Sequence, residues 1–204
     1  MLWVLDGISS ISILVTPFEI MRSNRVFTVM LTAFTIVGPC VSMSLAQDLS
    51  REEVLKLVYP GTTVKTEYVF LTENQQRQAV EQSGVDVPSA LIARYLASKN
   101  SEIVGRAYID THTVRTKKET LLIALNTAGE VLQIEVTAFL EPQEYLAPRA
   151  WLRQYEGRAL NADLAVHRAI RPIAGATLTA QATNEAVRRV LAIDKILKEN
   201  KESP

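Results

Sequence analysis

The sequence predicts an α+β fold, a twisted antiparallel sheet with packed helices and a C-terminal amphipathic helix. Three observations carry that reading. Strand-like runs rich in β-branched and aromatic residues follow one another between residues 63 and 140. Two of them, "TLLIALN" and "VLQIEVTAFL", are separated only by "TAGE", a hairpin spacing. From Thr177 onward the period changes, and Ala186, Val190, Ile193 and Leu197 recur on one helical face.

Taken in order, Ser50 is a good N-cap for "REEVLKLVY", with Glu53 three positions on as its capping-box partner. Val54, Leu55 and Val58 form the apolar face of that helix, and Pro60-Gly61 ends it. "TVKTEYVFL" reads as a strand, and "TENQQRQAVEQSG" as a short polar helix closed by Gly84. Ala90–Ala97, Ile103–Val114, Thr120–Asn126 and Val131–Leu140 supply further strands. In the last of these Ile134, Val136 and Ala138 alternate with Gln133, Glu135 and Thr137, which predicts one dry and one wet face. Gly129 suits the positive φ of the hairpin turn. A loop beginning at Glu141 winds into a short helix around Pro148 to Tyr155, and the tail 199–204 is expected to fray. Arg188 and Arg189 fall on the expected solvated side of the last helix, and both histidines, His112 and His167, read as surface residues.

The N-terminus reads as an address. From Met21 the order is a positive pair (Arg22, Arg25), an apolar run from Val26 to Val41, and small residues ending at Ala46. Cleavage after Ala46 would leave a body starting at Gln47 in the periplasm; the alternative is an uncleaved single span that anchors it to the inner membrane. Residues 1–20 read as an over-extended start, so 1–46 stand outside the fold.

Composition narrows the chemistry. Basic and acidic residues number 22 each, and the balance survives removal of residues 1–46. A neutral chain lacks the basic face that nucleic acid needs, so no nucleic-acid partner is expected. Cys40, the one cysteine, lies in the apolar N-terminal run, so the body can form neither disulfides nor thiolate metal sites. Two histidines are too few for a histidine-rich metal cluster. Side chains of this protein are poor suppliers of chemistry on their own.

The most informative stretch is "RPIAGATLTAQATNEAVRRVLAID", Arg171 to Asp194. A helix N-terminus leaves N–H groups unpaired and carries about half a positive elementary charge, which favours phosphate. Gly175 and Ala176 let a ligand approach the backbone, and Thr177 sets a hydroxyl beside those donors. Read alone, Gly-Ala-Thr is more often an ordinary turn or cap.

Together with "ETLLIALNTAGEVLQIEVTAF" and Glu141-Pro142, that stretch resembles the FMN-binding domain family. The family includes an extracytoplasmic component of the sodium-translocating NADH:quinone reductase and a component of the Rnf complex. The likeness covers about residues 102 to 197. It divides the chain into an N-terminal extension with signal or anchor (1–46), N-terminal helices and strand (47–101), the FMN-binding domain (102–198) and a tail (199–204). It implies FMN joined through a phosphoester to Thr177, installed from FAD by a flavin transferase, in a carrier that exchanges electrons with membrane or periplasmic redox proteins. Gly175, Ala176, Leu178 and Thr179 would surround the attachment point. Two positions depart from the family pattern: Ala174 stands where Ser or Thr is usual, and Arg171 where an acidic residue is frequent.

Other residues keep two readings. Glu141 and Pro142 could shape the wall beside the isoalloxazine, or end a strand with a solvated carboxylate. Tyr145, Trp151 and Tyr155 could flank the flavin or belong to the core, and only Tyr145 is assigned to the site. Thr179 could bond the phosphate or cap the helix. For the whole protein the alternative is a flavin-free sensory or scaffold module of the same fold. A hydrolase using Thr177 lacks a base, since neither histidine is placed to serve.

Overall fold

The computed structural model describes residues 50–202; the signal or anchor reading of residues 1–46, Cys40 included, lies outside them. Helix α1 (Arg51–Val58) opens on the predicted capping box: Ser50 Oγ accepts from Glu53 N–H at 3.3 Å, and Ser50 N–H donates to Glu53 Oε2 at 2.7 Å. Strand β1 (Thr63–Phe70) follows, then helix α2 (Glu73–Ser83), boxed by Thr72 and Gln75 and closed by Gly84 at φ 69°. Strands β2 (Leu91–Lys99) and β3 (Glu102–Thr113) are joined at Asn100 and Ser101, both with positive φ, as a two-residue hairpin turn requires. Strands β4 (Lys118–Asn126) and β5 (Val131–Phe139) form the expected hairpin, with Gly129 at φ 90°.

All five strands pair antiparallel in the order β1-β2-β3-β4-β5, so the sheet is an open meander. Strands β2 and β3 pair across the sequence boundary at residue 101/102. One expectation for β5 is corrected. Its pairing with β4 slips twice, leaving Leu132 and Thr137 without opposite partners, and Ala138 is consequently exposed instead of dry.

Helices cover both faces of the sheet. On one, α1 seals Tyr95, Ala97, Ala107, Leu122 and Ala124. Tyr59, just past α1, donates its hydroxyl to the carbonyls of Arg106 (2.7 Å) and Leu125 (2.9 Å). Its ring fills the space above Gly105, where a Cβ would stand 2.2 Å from a ring carbon. On the other face lie α2 and the long α4 (Thr177–Glu202), against Tyr108, Leu121, Ile123 and Leu125. Helix α3 (Arg149–Leu152), between two 3₁₀ turns, completes that core with Trp151, Leu152 and Tyr155. Among the described residues no helix is long and apolar enough to cross a membrane.

Helix α4 departs from its simple amphipathic reading. It stays helical to Glu202, into the stretch read as a frayed tail, and it is buried around most of its girth. A narrow stripe through Gln181, Glu185, Lys195 and Glu199 meets solvent. Arg188 falls on the face of that stripe and is half-buried, whereas Arg189 does not lie in it. Arg189 is buried and binds Asp110 bidentately (2.7 and 3.1 Å), while Arg188 donates to the carbonyls of Ser83, Asn161 and Leu164.

The Arg189–Asp110 pair belongs to a polar ladder between α4 and β3. Arg106 holds Asp194 with two guanidinium nitrogens, and Tyr108 donates to the same carboxylate at 2.8 Å. One pair further along the strand come Asp110 and Arg189. Then His112, with its side chain only 10% exposed, bridges Asp110 (2.9 Å) and Glu119 (3.0 Å), which also accepts from Thr183. The surface reading of His112 is therefore corrected, whereas His167 is exposed as expected. Burial pulls the His112 imidazole down, but the hydrogen bonds to Asp110 and Glu119 outweigh it and hold it at about 9. With a carboxylate at each ring nitrogen, the doubly protonated ring donates both ways.

Candidate functional site

The site is built where α4 begins. Ala176 N–H donates to the Ile173 carbonyl at 3.2 Å, closing a turn in which Gly175 takes φ 79°. The first helical bond runs from Ala180 N–H to the Ala176 carbonyl at 3.1 Å. Ala176 therefore occupies the capping position, and its methyl group cannot accept a hydrogen bond. The N–H groups of Thr177, Leu178 and Thr179 have no partner among the described residues.

The approach to this turn is clamped from the α3 segment. Trp151 Nε1 donates to the Arg171 carbonyl at 2.6 Å, and Arg171 N–H donates to Gln154 Oε1 at 3.0 Å. Trp151 and Tyr155 pack edge to face with ring centroids 5.6 Å apart, both buried, so they serve the core.

In front of the helix start lies a cleft of about 340 Å³, lined by Val114, Arg115, Glu141, Tyr145 and residues 175–179. Thr177 is exposed there, and Leu178 leaves 49% of its surface open. Of the residues nominated from sequence, Gly175, Ala176, Thr177, Leu178, Thr179, Glu141 and Tyr145 come together on this wall. Pro142 does not reach it; Pro142 starts the 3₁₀ turn Gln143–Tyr145, its carbonyl accepting from Tyr145 N–H at 3.0 Å.

Glu141 has a definite task, and the solvated-carboxylate alternative is set aside. It is 8% exposed, and one oxygen accepts from Thr116 N–H and Lys117 N–H, both at 2.7 Å, and from the Thr116 hydroxyl at 3.3 Å. Those N–H groups of Thr116 and Lys117 hold its carboxyl below the usual carboxylate range. The carboxylate thereby fixes the β3–β4 turn that carries Arg115. Thr179 is likewise committed: its hydroxyl donates to the Tyr145 carbonyl at 2.8 Å, tying the 3₁₀ turn to α4.

Sequence reasoning missed Val114 and Arg115. The signal was present in "TVRTKKET", a basic turn between two strands, but nothing local told which element that turn would face. The Arg115 guanidinium makes no ion pair among the described residues. Three unpaired N–H groups, the positive end of α4 and a nearby arginine surround a cleft with apolar walls at Val114, Tyr145 and Leu178. Such a wall suits a ligand with an anionic tail and a flat apolar body.

Compared with protein families, with curated proteins and with solved structures, the chain has no match in any of the three.

Proposed function

We propose that this cleft holds FMN, linked through a phosphoester to Thr177, and that the protein is an extracytoplasmic electron carrier. The observation behind this reading is convergence: seven of the eight residues nominated from sequence line one cleft. Five of the seven, residues 175–179, are consecutive; Glu141 and Tyr145 come to them from thirty or more positions away.

The residues present fit the group. The cleft sits at the small end of ordinary ligand sites, roughly 300–1,000 Å³, which suits a cofactor with one edge left in solvent for its redox partners. Residues 174–176 add no side chain beyond a methyl group, so the N–H groups of residues 177–179 are accessible to a phosphate. Arg115 supplies the countercharge, Glu141 positions the Arg115 turn, and Tyr145, Val114 and Leu178 give apolar contact. FMN, when bound, supplies one- or two-electron transfer. Attachment by a flavin transferase would exchange the Thr177 O–H bond for an O–P bond and release AMP from FAD, adding FMN less one water. Membrane or periplasmic redox proteins are the proposed partners.

A flavin-free scaffold of the same fold is the second reading, favoured by Ala174 and Arg171 at positions where the family pattern has a hydroxyl and an acid. Co-expression with a flavin transferase separates the two. The carrier reading expects a fluorescent protein band after denaturing electrophoresis and an intact mass raised by FMN less water. Both should vanish in Thr177→Ala. A native protein with neither bound nor attached flavin sinks the carrier reading.

A further inference from the structure

The two edges of the sheet differ. Along β5, Val131 N–H donates to the Arg158 carbonyl at 3.0 Å and Gly157 N–H to the Val131 carbonyl at 2.8 Å, so that edge is partly closed. At the other edge Leu71 N–H donates to the Ala90 carbonyl at 2.8 Å, which places the odd-numbered main-chain groups of β1 toward β2. Val64, Thr66, Tyr68 and Phe70 therefore point theirs outward, and none has a main-chain partner among the described residues. This edge carries no proline, and its pairing with β2 is unbroken by any bulge. Tyr68 and Phe70 are 68% and 74% exposed, and Leu91, opposite Phe70, is 45% exposed. An edge that long and regular, with exposed aromatic residues towards its C-terminal end, is a template for another strand.

We propose that β1 pairs antiparallel with β1 of a second copy of this chain, about a two-fold axis at Thr66, continuing the sheet across the dimer. Charge selects both the occupant and the register. With Thr66 opposite Thr66 of the second copy, Lys65 stands opposite Glu67 and Val64 opposite Tyr68, twice over by symmetry. Lys65 is exposed and in no ion pair among the described residues. The Glu67 side chain, bound by Arg94 at 2.6 Å, is still 35% exposed, so a further cation can approach it. Moving the axis one residue either way centres it on Lys65 or on Glu67 and sets like charges face to face, which is destabilising. The Thr66 register also lets the outward groups of Val64, Thr66 and Tyr68 all find partners. Side chains keep their faces, so Tyr68 packs on Val64 of the other copy.

The test uses the full chain in density-matched detergent. Sedimentation equilibrium of the wild type should give a dimer, and Lys65→Glu should weaken it at least tenfold with an unchanged circular dichroism spectrum. Thr66→Cys, in a Cys40→Ser background, should cross-link to a dimer under mild oxidation, because directly opposed strand residues lie within disulfide reach. Lys65→Cys in the same background, offset from its own copy in this register, should cross-link far less. A monomeric wild type, a dimer indifferent to Lys65→Glu, or Thr66→Cys chains that cross-link no better than Lys65→Cys chains would each overturn the proposal. The last two would hand the edge, or the dimer contact, to another element.

Discussion

Gly105 is the residue where fold and side-chain chemistry are most tightly joined. Tyr59 lies over it and accepts from Leu125 N–H while donating to two carbonyls of β3 and β4. Burial drives the Tyr59 phenol above its ordinary range, which favours the protonated, hydrogen-bond-donating form. Gly105→Ala should push the ring out and cost about 1–3 kcal/mol, the usual range for overpacking, read as a lower urea midpoint with unchanged slope. Glu141 acts in the same single-residue way on the cleft. Glu141→Gln keeps the shape but weakens acceptance from two N–H groups, so affinity for the FMN proposed to occupy the cleft should drop several-fold while the fold persists; equal affinity would deny Glu141 its positioning role. Neither Gly105 nor Glu141 advertises its duty locally. Glycine in a strand and glutamate before proline are ordinary, and their partners lie across the sheet or on a neighbouring turn.

Helix α4 is the element on which both stability and site depend. Apolar residues at helical spacing predicted its existence, and its buried set Ala186, Val190, Ile193 and Leu197 is the one expected. What periodicity could not show is that polar residues are also inward, because the charged partners of Arg189 and Asp194, Asp110 and Arg106, are 79 and 88 positions away in sequence. Asp194→Ala strands Arg106 and Tyr108 without their shared acceptor and should cost about 3–5 kcal/mol, the penalty for an unpaired buried charge. A loss under about 1 kcal/mol in calorimetry or urea would show the ladder to be energetically idle. His112 adds a pH dependence with a definite sign. Its folded-state value, about 9, exceeds the ordinary 6.5, so its stabilisation is complete below about pH 6.5 and lost as pH rises through 9. Urea midpoints should decline across that window, and His112→Gln should flatten the decline.

For the whole molecule, the order of the sheet decides which surfaces remain available. A five-strand meander with helices on both faces leaves its edges as the natural places for association, and β1 is the more open. Hydrogen exchange offers a check at that scale. Amides of Thr66, Tyr68 and Phe70 should exchange faster than those of Lys65, Glu67 and Val69 in dilute protein, and should slow as concentration rises into the dimer range. Concentration-independent exchange at those sites would speak against edge pairing. Much of this architecture was legible beforehand. Caps at Ser50 and Thr72, the Gly129 hairpin and the switch of period at Thr177 are all local signals, settled by hydrogen bonds three or four residues apart or by a change from period 2 to period 3.6. Tertiary structure alone decided that the β3–β4 turn meets the start of α4, that Arg115 joins the cleft, and that Arg189 and His112 turn inward. The physical reason is the range of the interactions. Backbone geometry and burial periodicity act within a few residues and are written in order along the chain, whereas charge pairing and cleft formation depend on which distant surfaces the sheet brings within a few ångströms.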